Sequence, residues 1–195
     1  MTHDHSGSDP KPFWIAGSPR TGDTVVTVKS PFDGAVAGSY YVPTAQDVEQ
    51  AVAGAHDSVR ASAALPASAR AAALDHISRQ IAARGEEIAS AITSENGKPI
   101  MWANAEVGRA VSTFRWAAEE ARRWSGDLQR LDTDPAAAGR LALVRRFSKG
   151  PILGIAPFNF PLNLVAHKVA PAIAIGAPII IKPAPATPLS ALILG

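Results

Sequence analysis

The 195-residue sequence contains no cysteine. This absence excludes disulfide bonds and thiolate metal sites, and it is typical of proteins in a reducing compartment. It also excludes covalent catalysis by a cysteine of this chain. We therefore predict a cytoplasmic protein whose own residues supply no thiol nucleophile.

Long apolar runs and targeting signals are also missing. No stretch reaches the roughly 18 consecutive apolar residues that a membrane-spanning helix needs, so we predict no membrane partner. Residues 1–12 are polar and lack the apolar centre of a signal peptide, which predicts a disordered tail. His3 and His5 could hold a metal, but we interpret them as part of this tail and predict no metal site.

Charge of one sign is scarce, and so are phosphate-binding glycine loops. The formal net charge is +2, and the arginine pairs Arg122–Arg123 and Arg145–Arg146 lack the length and aromatic interleaving of a nucleic-acid patch. We predict no nucleic-acid partner. Gly-x-Gly-x-x-Gly and P-loop patterns are absent, which argues against an oxidoreductase of the glycine-loop Rossmann type. With 47% hydrophobic and 18% charged residues, the chain has the composition of a globular protein.

Short clusters of β-branched residues follow the tail. They predict strands over Trp14–Ile15, Thr24–Lys29 and Ala35–Val42, the last two joined by a turn over residues 30–34. Thr44, with Asp47 three residues later, marks the capped start of a helix.

Apolar residues at intervals of three and four predict an Ala-rich helical layer over residues 44–125. The first helix carries Val48 and Val52, and the others are expected over Pro66–Arg84, Glu86–Asn96 and Ile100–Trp124. An Asn-Gly-Lys-Pro break at residues 96–99 separates the last two. Nothing in this layer has the residue types or spacing of an active site.

The sequence changes character after residue 125. We predict a loop over Ser125–Arg140, a strand over Leu141–Phe147, and then two buried strands, Ile152–Ala156 and Ile179–Lys182, on either side of an apolar helix over residues 161–175. That order is a parallel strand–helix–strand unit. It predicts an α/β fold whose last part begins a Rossmann-like parallel sheet, with ligands at the carboxyl ends of its strands.

Asn159 lies in the turn that follows the first of these strands. Pro161 suits the first turn of a helix and pushes Phe160 towards extended geometry, so Asn159 lies at a helix N-terminus where the local potential is positive. Its amide could stabilise a developing oxyanion, an interaction worth roughly 3 kcal/mol in a transition state. On physical grounds alone, a simple helix cap is the favoured alternative.

Lys182 ends the second strand. Its long side chain could present an ammonium group to a ribose hydroxyl or a phosphate, or it could be an ordinary snorkelling lysine. Thr187 and Pro188 are predicted to start one more helix as its cap and first residue. His167 and Lys168 lie on the helix between the strands, where a satisfied or exposed position is the default.

The segment IAPFNFPLNLVAHKVAPAIAIGAPIIIKPAPATPLSAL resembles the first half of the cofactor domain of the aldehyde dehydrogenase superfamily. The shared features are P-F-N-F-P, then K-x-x-P-A-[IL]-A-x-G, then a buried run ending in K-P and T-P-L. Upstream, SPFDG, ENGKP and AEVGRAVSTFRWAAEEA agree. The resemblance extends from about Trp14 to the end.

This resemblance implies NAD(P)-dependent oxidation of an aldehyde to a carboxylic acid. In the family, a cysteine thiolate attacks the aldehyde, hydride passes to the nicotinamide, and a glutamate activates the water that hydrolyses the thioester. Asn159 matches the oxyanion-binding asparagine, Lys182 the lysine that holds the adenosine ribose, and Lys168 a lysine near the catalytic centre. The backbone stretch against the cofactor is matched by Ile155, Ala156, Pro157 and Phe158.

Pro185 departs from the family pattern. Many NAD-preferring members have a glutamate three residues after the ribose lysine, where its carboxylate accepts from both ribose hydroxyls. Loss of that carboxylate removes a repulsion against a 2′-phosphate, so the resemblance implies NAD or NADP, with NADP tolerated. Thr187 is a weak candidate for binding the phosphate.

Length is the second departure, because family members run to more than twice this length. Their second glycine motif, glutamate and cysteine would lie beyond residue 195. We therefore expect an N-terminal fragment that is inactive alone, with the N-terminal part of the NAD(P)-binding domain over 13–195 and no catalytic domain. Residues 141–149 could be a strand of the arm by which the full-length enzyme forms a homodimer or homotetramer.

Two questions stay open at this stage. The segment most resembles members that act on small hydroxy- or phospho-aldehydes. The alternative to an enzyme is a non-catalytic nucleotide-binding or assembly module, although a sheet of two strands would leave its apolar faces exposed.

Overall fold

The structure, a computed structural model, describes residues 9–195, so His3, His5 and most of the predicted tail lie outside the described residues. Lys11 is already tied to a strand. Its N–H donates to the Ser39 carbonyl over 2.9 Å, and its carbonyl accepts from the Tyr41 N–H over 3.0 Å. Backbone pairing therefore begins two residues before the predicted boundary at residue 13.

Two antiparallel hairpins come first. Strand β1 (Phe13–Ile15) pairs with β2 (Ser18–Arg20), and β3 (Val25–Lys29) pairs with β4 (Val36–Tyr41). The predicted strands correspond to β1, β3 and β4 and are confirmed. Strand β2 was not predicted, because its sequence, Ser-Pro-Arg, contains none of the residues that favour strands.

The helical layer follows as five helices: α1 (Ala45–Asp57), α2 (Val59–Ala64), α3 (Ala67–Ala83), α4 (Gly85–Asn96) and α5 (Ile100–Arg123). The predicted capping box is present, since the Asp47 N–H donates to Thr44 Oγ1 over 3.2 Å and the Thr44 N–H donates to Asp47 Oδ2 over 2.8 Å. Val48 and Val52 are exposed, so their spacing marks a helix but not a core-facing stripe.

A hairpin links the helical layer to the last part of the chain. Strand β5 (Gly126–Arg130) pairs antiparallel with β6 (Leu141–Arg145), and a short 3₁₀ turn lies between them. The predicted loop over Ser125–Arg140 is therefore wrong in its first part. The GDLQR sequence of β5 is polar and exposed, and its strand conformation comes from pairing with β6 rather than from its own residues.

The predicted parallel unit is present. Strands β7 (Ile152–Ile155) and β8 (Ile179–Lys182) pair in parallel along their whole length, and α6 (Asn163–Ile175) connects them. Gly176 ends α6 in the left-handed conformation, with φ of 71°, as expected of a glycine at that position. Helix α7 (Leu189–Leu194) follows β8. The α/β class is confirmed.

The main core lies among α3, α4, α5 and α6. Phe114, Leu74 and Ile92 are its largest fully buried apolar side chains. Burial of side chains of this size stabilises the fold by about 2 kcal/mol each. The core-facing side of α5 also carries Glu106, Val107 and five alanines, whose small side chains let the neighbouring helices approach closely. Among the described residues, no helix is both long and apolar enough to cross a membrane.

Candidate functional site

The candidate site forms where β7 and β8 end. The Ala156 N–H donates to the Lys182 carbonyl over 3.0 Å, which holds the carboxyl ends of the two strands side by side. Beyond Ala156 the chain leaves the sheet, and Pro157, Phe158 and Asn159 are exposed. Lys182 is thus the last residue of β8 and Asn159 follows the end of β7, so both lie towards the same edge of the sheet, as the topology predicted.

The N-terminus of α6 is satisfied by Glu106 of α5. Glu106 is fully buried, and its Oε1 accepts from the N–H groups of Leu162 at 3.0 Å and Asn163 at 3.1 Å. A carboxylate is well placed at the positive end of a helix. The helix-cap interpretation of Asn159 is therefore wrong. Within residues 9–195 the Asn159 side chain makes no hydrogen bond, so its amide stays available to a ligand.

Lys98 contacts both Glu106 and the Asn159 loop. Its Nζ lies 2.5 Å from Glu106 Oε2 and donates to the Asn159 carbonyl over 2.9 Å. The same ammonium lies 4.1 Å from the centre of the Phe160 ring, within cation–π range. Gly97, with φ of 75°, makes the sharp turn between α4 and α5 that brings Lys98 to this position.

The Phe158 carbonyl is held from two sides. It accepts from Asn96 Nδ2 at the end of α4 over 2.8 Å and from Thr187 Oγ1 over 3.4 Å. Thr187 is buried, and its hydroxyl faces Phe158. Thr187 therefore does not cap α7, and that expectation is wrong, whereas its weak candidacy for the 2′-phosphate stays a prediction.

Glu95 of α4 caps helix α7 in the way that Glu106 caps α6. Its Oε2 accepts from the Leu189 N–H over 2.5 Å and its Oε1 from the Ser190 N–H over 3.0 Å. Burial raises the pKa of Glu95 to about 7, and the neighbouring Glu106 carboxylate acts in the same direction, whereas the hydrogen bonds from Ser190 and Leu189 oppose the shift. Glu95 therefore connects the helical layer to α7 through a carboxyl group whose ionisation depends on pH.

Most of the residues predicted to contact the cofactor are exposed, although Ala156 is buried. Ile155 and Phe158 expose 60% and 63% of their area, and Lys182 and Pro185 are also exposed. A surface with apolar side chains and one ammonium group fits a nucleotide, whose rings need apolar contacts and whose ribose and phosphates need donors. The residues present thus fit NAD(P).

His167 and Lys168 of α6 differ in exposure. Lys168 is half-buried, and its Nζ donates to the Leu164 carbonyl over 3.0 Å, while His167 is exposed. In the part of the chain that the structure describes, no three His, Asp or Glu side chains come together as a metal site would require.

The helical layer, whose sequence shows no residue types or spacing of an active site, nevertheless contacts the candidate site. Asn96, Lys98 and Glu106 all come from this layer and contact the backbone around Asn159. A signal was present in the sequence. Glu106 stands among the small and apolar residues of the buried face of α5, and a charge in such a position calls for a partner in the interior.

Comparison with known proteins places this geometry in a family. The aldehyde dehydrogenase family model matches residues 14–195. The chain belongs to the aldehyde dehydrogenase family. The resemblance noted in the sequence is thereby confirmed.

Three similar members of the family illustrate the relation. The chain is 39% identical to aspartate-semialdehyde dehydrogenase 1 of Pseudomonas canavaninivorans, over 86% of this chain and 36% of that protein. It superposes on aldehyde dehydrogenase 21 from Physcomitrella patens, solved in complex with the reaction product succinate, with a TM-score of 0.92 and 42% identity, over 96% of this chain and 40% of that one. It superposes equally widely on the NADP-dependent glyceraldehyde-3-phosphate dehydrogenase from Bacillus halodurans, solved with NADP, with a TM-score of 0.91 and 29% identity. The chain therefore spans well under half the length of these relatives.

Proposed function

We propose that the protein to which this chain contributes oxidises an aldehyde to a carboxylic acid with NAD or NADP as acceptor. The observation that carries this proposal is the Asn159 amide, exposed at the carboxyl edge of a parallel sheet beside a helix N-terminus that Glu106 already satisfies. An amide that caps nothing is available to a reacting group.

Asn159 would act as the oxyanion donor. Its Nδ2–H groups would donate to the aldehyde oxygen as negative charge develops there, and a donor of this kind is worth about 10²–10³ in kcat. The amide does not change its ionisation in the accessible pH range, so its contribution is independent of pH.

The cofactor would lie on the exposed surface beside β7 and β8. Lys182 would donate to a ribose hydroxyl, and the backbone from Ile155 through Ala156 and Pro157 to Phe158 would line the nucleotide. When bound, NAD(P) supplies the hydride acceptor. Pro185 presents no carboxylate to repel a 2′-phosphate, which supports tolerance of NADP, and the Bacillus halodurans neighbour was solved with NADP.

We propose further that the aldehyde carries an acidic group. Arg109 of α5 is exposed, and its guanidinium carbon lies 5.3 Å from the centre of the Phe160 ring, next to Asn159 in the chain. A guanidinium there suits a carboxylate, sulfonate or phosphate. The substrates or product named for the three relatives, aspartate semialdehyde, succinate and glyceraldehyde 3-phosphate, all carry a carboxylate or a phosphate group.

The nucleophile and the base would come from residues outside this chain. No residue of this cysteine-free chain can form the thioester that the family reaction requires, so we propose that residues 13–195 are the N-terminal part of the NAD(P)-binding domain and have no activity alone. The β5–β6 hairpin, which includes most of the strand segment expected over 141–149, exposes Leu128, Leu141 and Leu143 and would join a homodimer or homotetramer.

The first test is genetic and needs no protein. Reading the coding sequence past Gly195 should reveal an in-frame glycine-rich turn, a glutamate and a cysteine. A stop codon there would instead favour the second candidate, a non-catalytic nucleotide-binding or assembly module.

The second test is kinetic. The protein that includes the cysteine should form NAD(P)H when given succinate semialdehyde, and Asn159→Ala should lower kcat about 10²–10³-fold. Arg109→Met should raise KM for that substrate more than KM for propanal, which has no anionic group. Residues 1–195 alone should form no NAD(P)H, and measurable turnover by them would contradict the mechanism.

A further inference from the structure

We infer that Lys98 and Glu106 are positioning residues for Asn159, and that this buried pair holds the Asn159 loop in a reactive conformation. The inference rests on the proposed role of Asn159 as oxyanion donor. It concerns two residues of the helical layer that lie more than 50 positions away in the sequence.

Lys98 acts on the backbone of Asn159 itself. Its ammonium donates to the Asn159 carbonyl over 2.9 Å and lies over the Phe160 ring at 4.1 Å. Fixing this carbonyl and the side chain of the next residue, both of which follow the Asn159 Cα, restricts rotation of the backbone that carries the amide. The amide itself receives no bond from Lys98.

Glu106 fixes the downstream end of the same loop. One carboxylate oxygen accepts from the N–H groups of Leu162 and Asn163. The other oxygen lies 2.5 Å from Nζ of Lys98. The carboxylate is fully buried and the Lys98 side chain exposes only 12% of its area, so water hardly competes for these bonds. The loop is thus held at both ends by one ion pair.

Asn96 holds the residue before Asn159. Its Nδ2 donates to the Phe158 carbonyl over 2.8 Å, so two consecutive carbonyls, of Phe158 and Asn159, are bound from the α4–α5 turn. The backbone is fixed, while the Asn159 amide has no hydrogen-bond partner among residues 9–195. Such an arrangement suits a group that must be held in place and still be available, because a displacement of about 1 Å can cost 10²-fold in rate.

The test compares four variants with the wild type. Lys98→Met removes the donor to Asn159, and Lys98→Arg retains the charge. The double variant with Lys98→Met and Glu106→Gln removes both charges, so no carboxylate is left buried without a partner, and it keeps an oxygen acceptor for Leu162. Lys149→Met, at an exposed lysine outside the site, is the control for the same chemical change.

Amide hydrogen exchange is measured first, on residues 1–195. The amides of Leu162 and Asn163 should exchange about tenfold faster in the double variant and as in the wild type in Lys149→Met. Unchanged exchange at these amides would overturn the inference, whether or not the protein proves to be an enzyme.

Steady-state kinetics are then measured on the protein that includes the cysteine. Lys98→Met and the double variant should lower kcat about 10–100-fold, with KM for NAD(P) within about twofold of wild type, and Lys98→Arg should recover most of kcat. A double variant that folds and keeps wild-type kcat would overturn the inference. A wild type without aldehyde-dependent NAD(P)H formation would refute the proposed function. The exchange result would still show whether the Lys98–Glu106 pair holds the Asn159 loop in place.

Discussion

The helical layer and the parallel strand–helix–strand unit are both rich in apolar residues. The layer buries its large apolar side chains, whereas strand β7 of the unit exposes two of them. Phe114, Leu74 and Ile92 in the helical layer are wholly enclosed. On β7, by contrast, Leu153 and Ile155 each expose about 60% of their area or more. The core side chains of the layer are enclosed by its own helices together with α6, whereas β7 offers an apolar face to another surface. The comparison separates the part of the chain that maintains the fold from the part that meets ligands or further strands.

The two regions are joined by charged groups as well as by apolar packing. Helices α6 and α7, which follow β7 and β8 respectively, each begin on a carboxylate of the layer: Glu106 for α6 and Glu95 for α7. Buried carboxylates at these positions satisfy helix N–H groups that would otherwise lack partners. The predictions below test the contrast between the two regions and then this connection.

The largest effect is expected in the core of the layer. Phe114→Ala should lower the free energy of unfolding of residues 1–195 by about 3–5 kcal/mol, because it removes a fully enclosed ring and leaves a cavity. Urea denaturation followed by circular dichroism measures this. The matched control is Leu143→Ala in the exposed hairpin, expected within about 0.5 kcal/mol of wild type. Equal losses in the two variants would refute the contrast.

The connection at Glu95 should depend on pH. Since the pKa of Glu95 is raised from 4.5 to about 7, the folded chain keeps a proton that the unfolded chain releases between these values. The contribution of Glu95 to the free energy of unfolding is therefore complete below about pH 4.5. It declines as the pH rises through 7, by at most about 3 kcal/mol.

Glu95→Gln isolates this effect, because the amide cannot ionise. As the pH rises from 4.5 to 7, the free energy of unfolding of the wild type should fall relative to that of Glu95→Gln. Denaturation curves at pH 4.5, 6 and 7.5 measure the shift, with exposed Glu119→Gln as the control. A difference that is constant with pH would contradict the assignment.

The smallest effect on stability is expected on the open face of β7. Leu153→Thr keeps a residue that favours strands and removes an apolar side chain that is 64% exposed. The free energy of unfolding should stay within about 0.5 kcal/mol of wild type. Light scattering at rising concentration should show less self-association. A loss of several kcal/mol would mean that this face already belongs to the core.

The sequence predicts most of the architecture, because local patterns determine it. The spacing of Leu74 and Ile81, the capping box at Thr44 and the glycine after α6 each indicate an element without any tertiary information. Strand β5 escapes prediction, since a polar segment becomes a strand only through its partner β6.

The site is predicted less completely, for a physical reason. The position of Asn159 after a strand and before a helix is readable, but the helix cap that physical grounds alone favour for it is wrong. The true cap, Glu106, lies 56 residues from Leu162 in the chain and is brought there by the packing of α5 against α6. Such contacts leave only an indirect trace, a charge on an otherwise apolar helix face.

The order of the two capping carboxylates along the chain has a consequence for synthesis. Residues 67–123 form α3, α4 and α5, and they emerge from the ribosome before residues 152–194. The three helices contact one another locally and can associate early, with Glu95 and Glu106 already in place. The nascent α6 and α7 would then each find a preformed acceptor for their first N–H groups, so the helical layer would serve as an internal template for these two later helices.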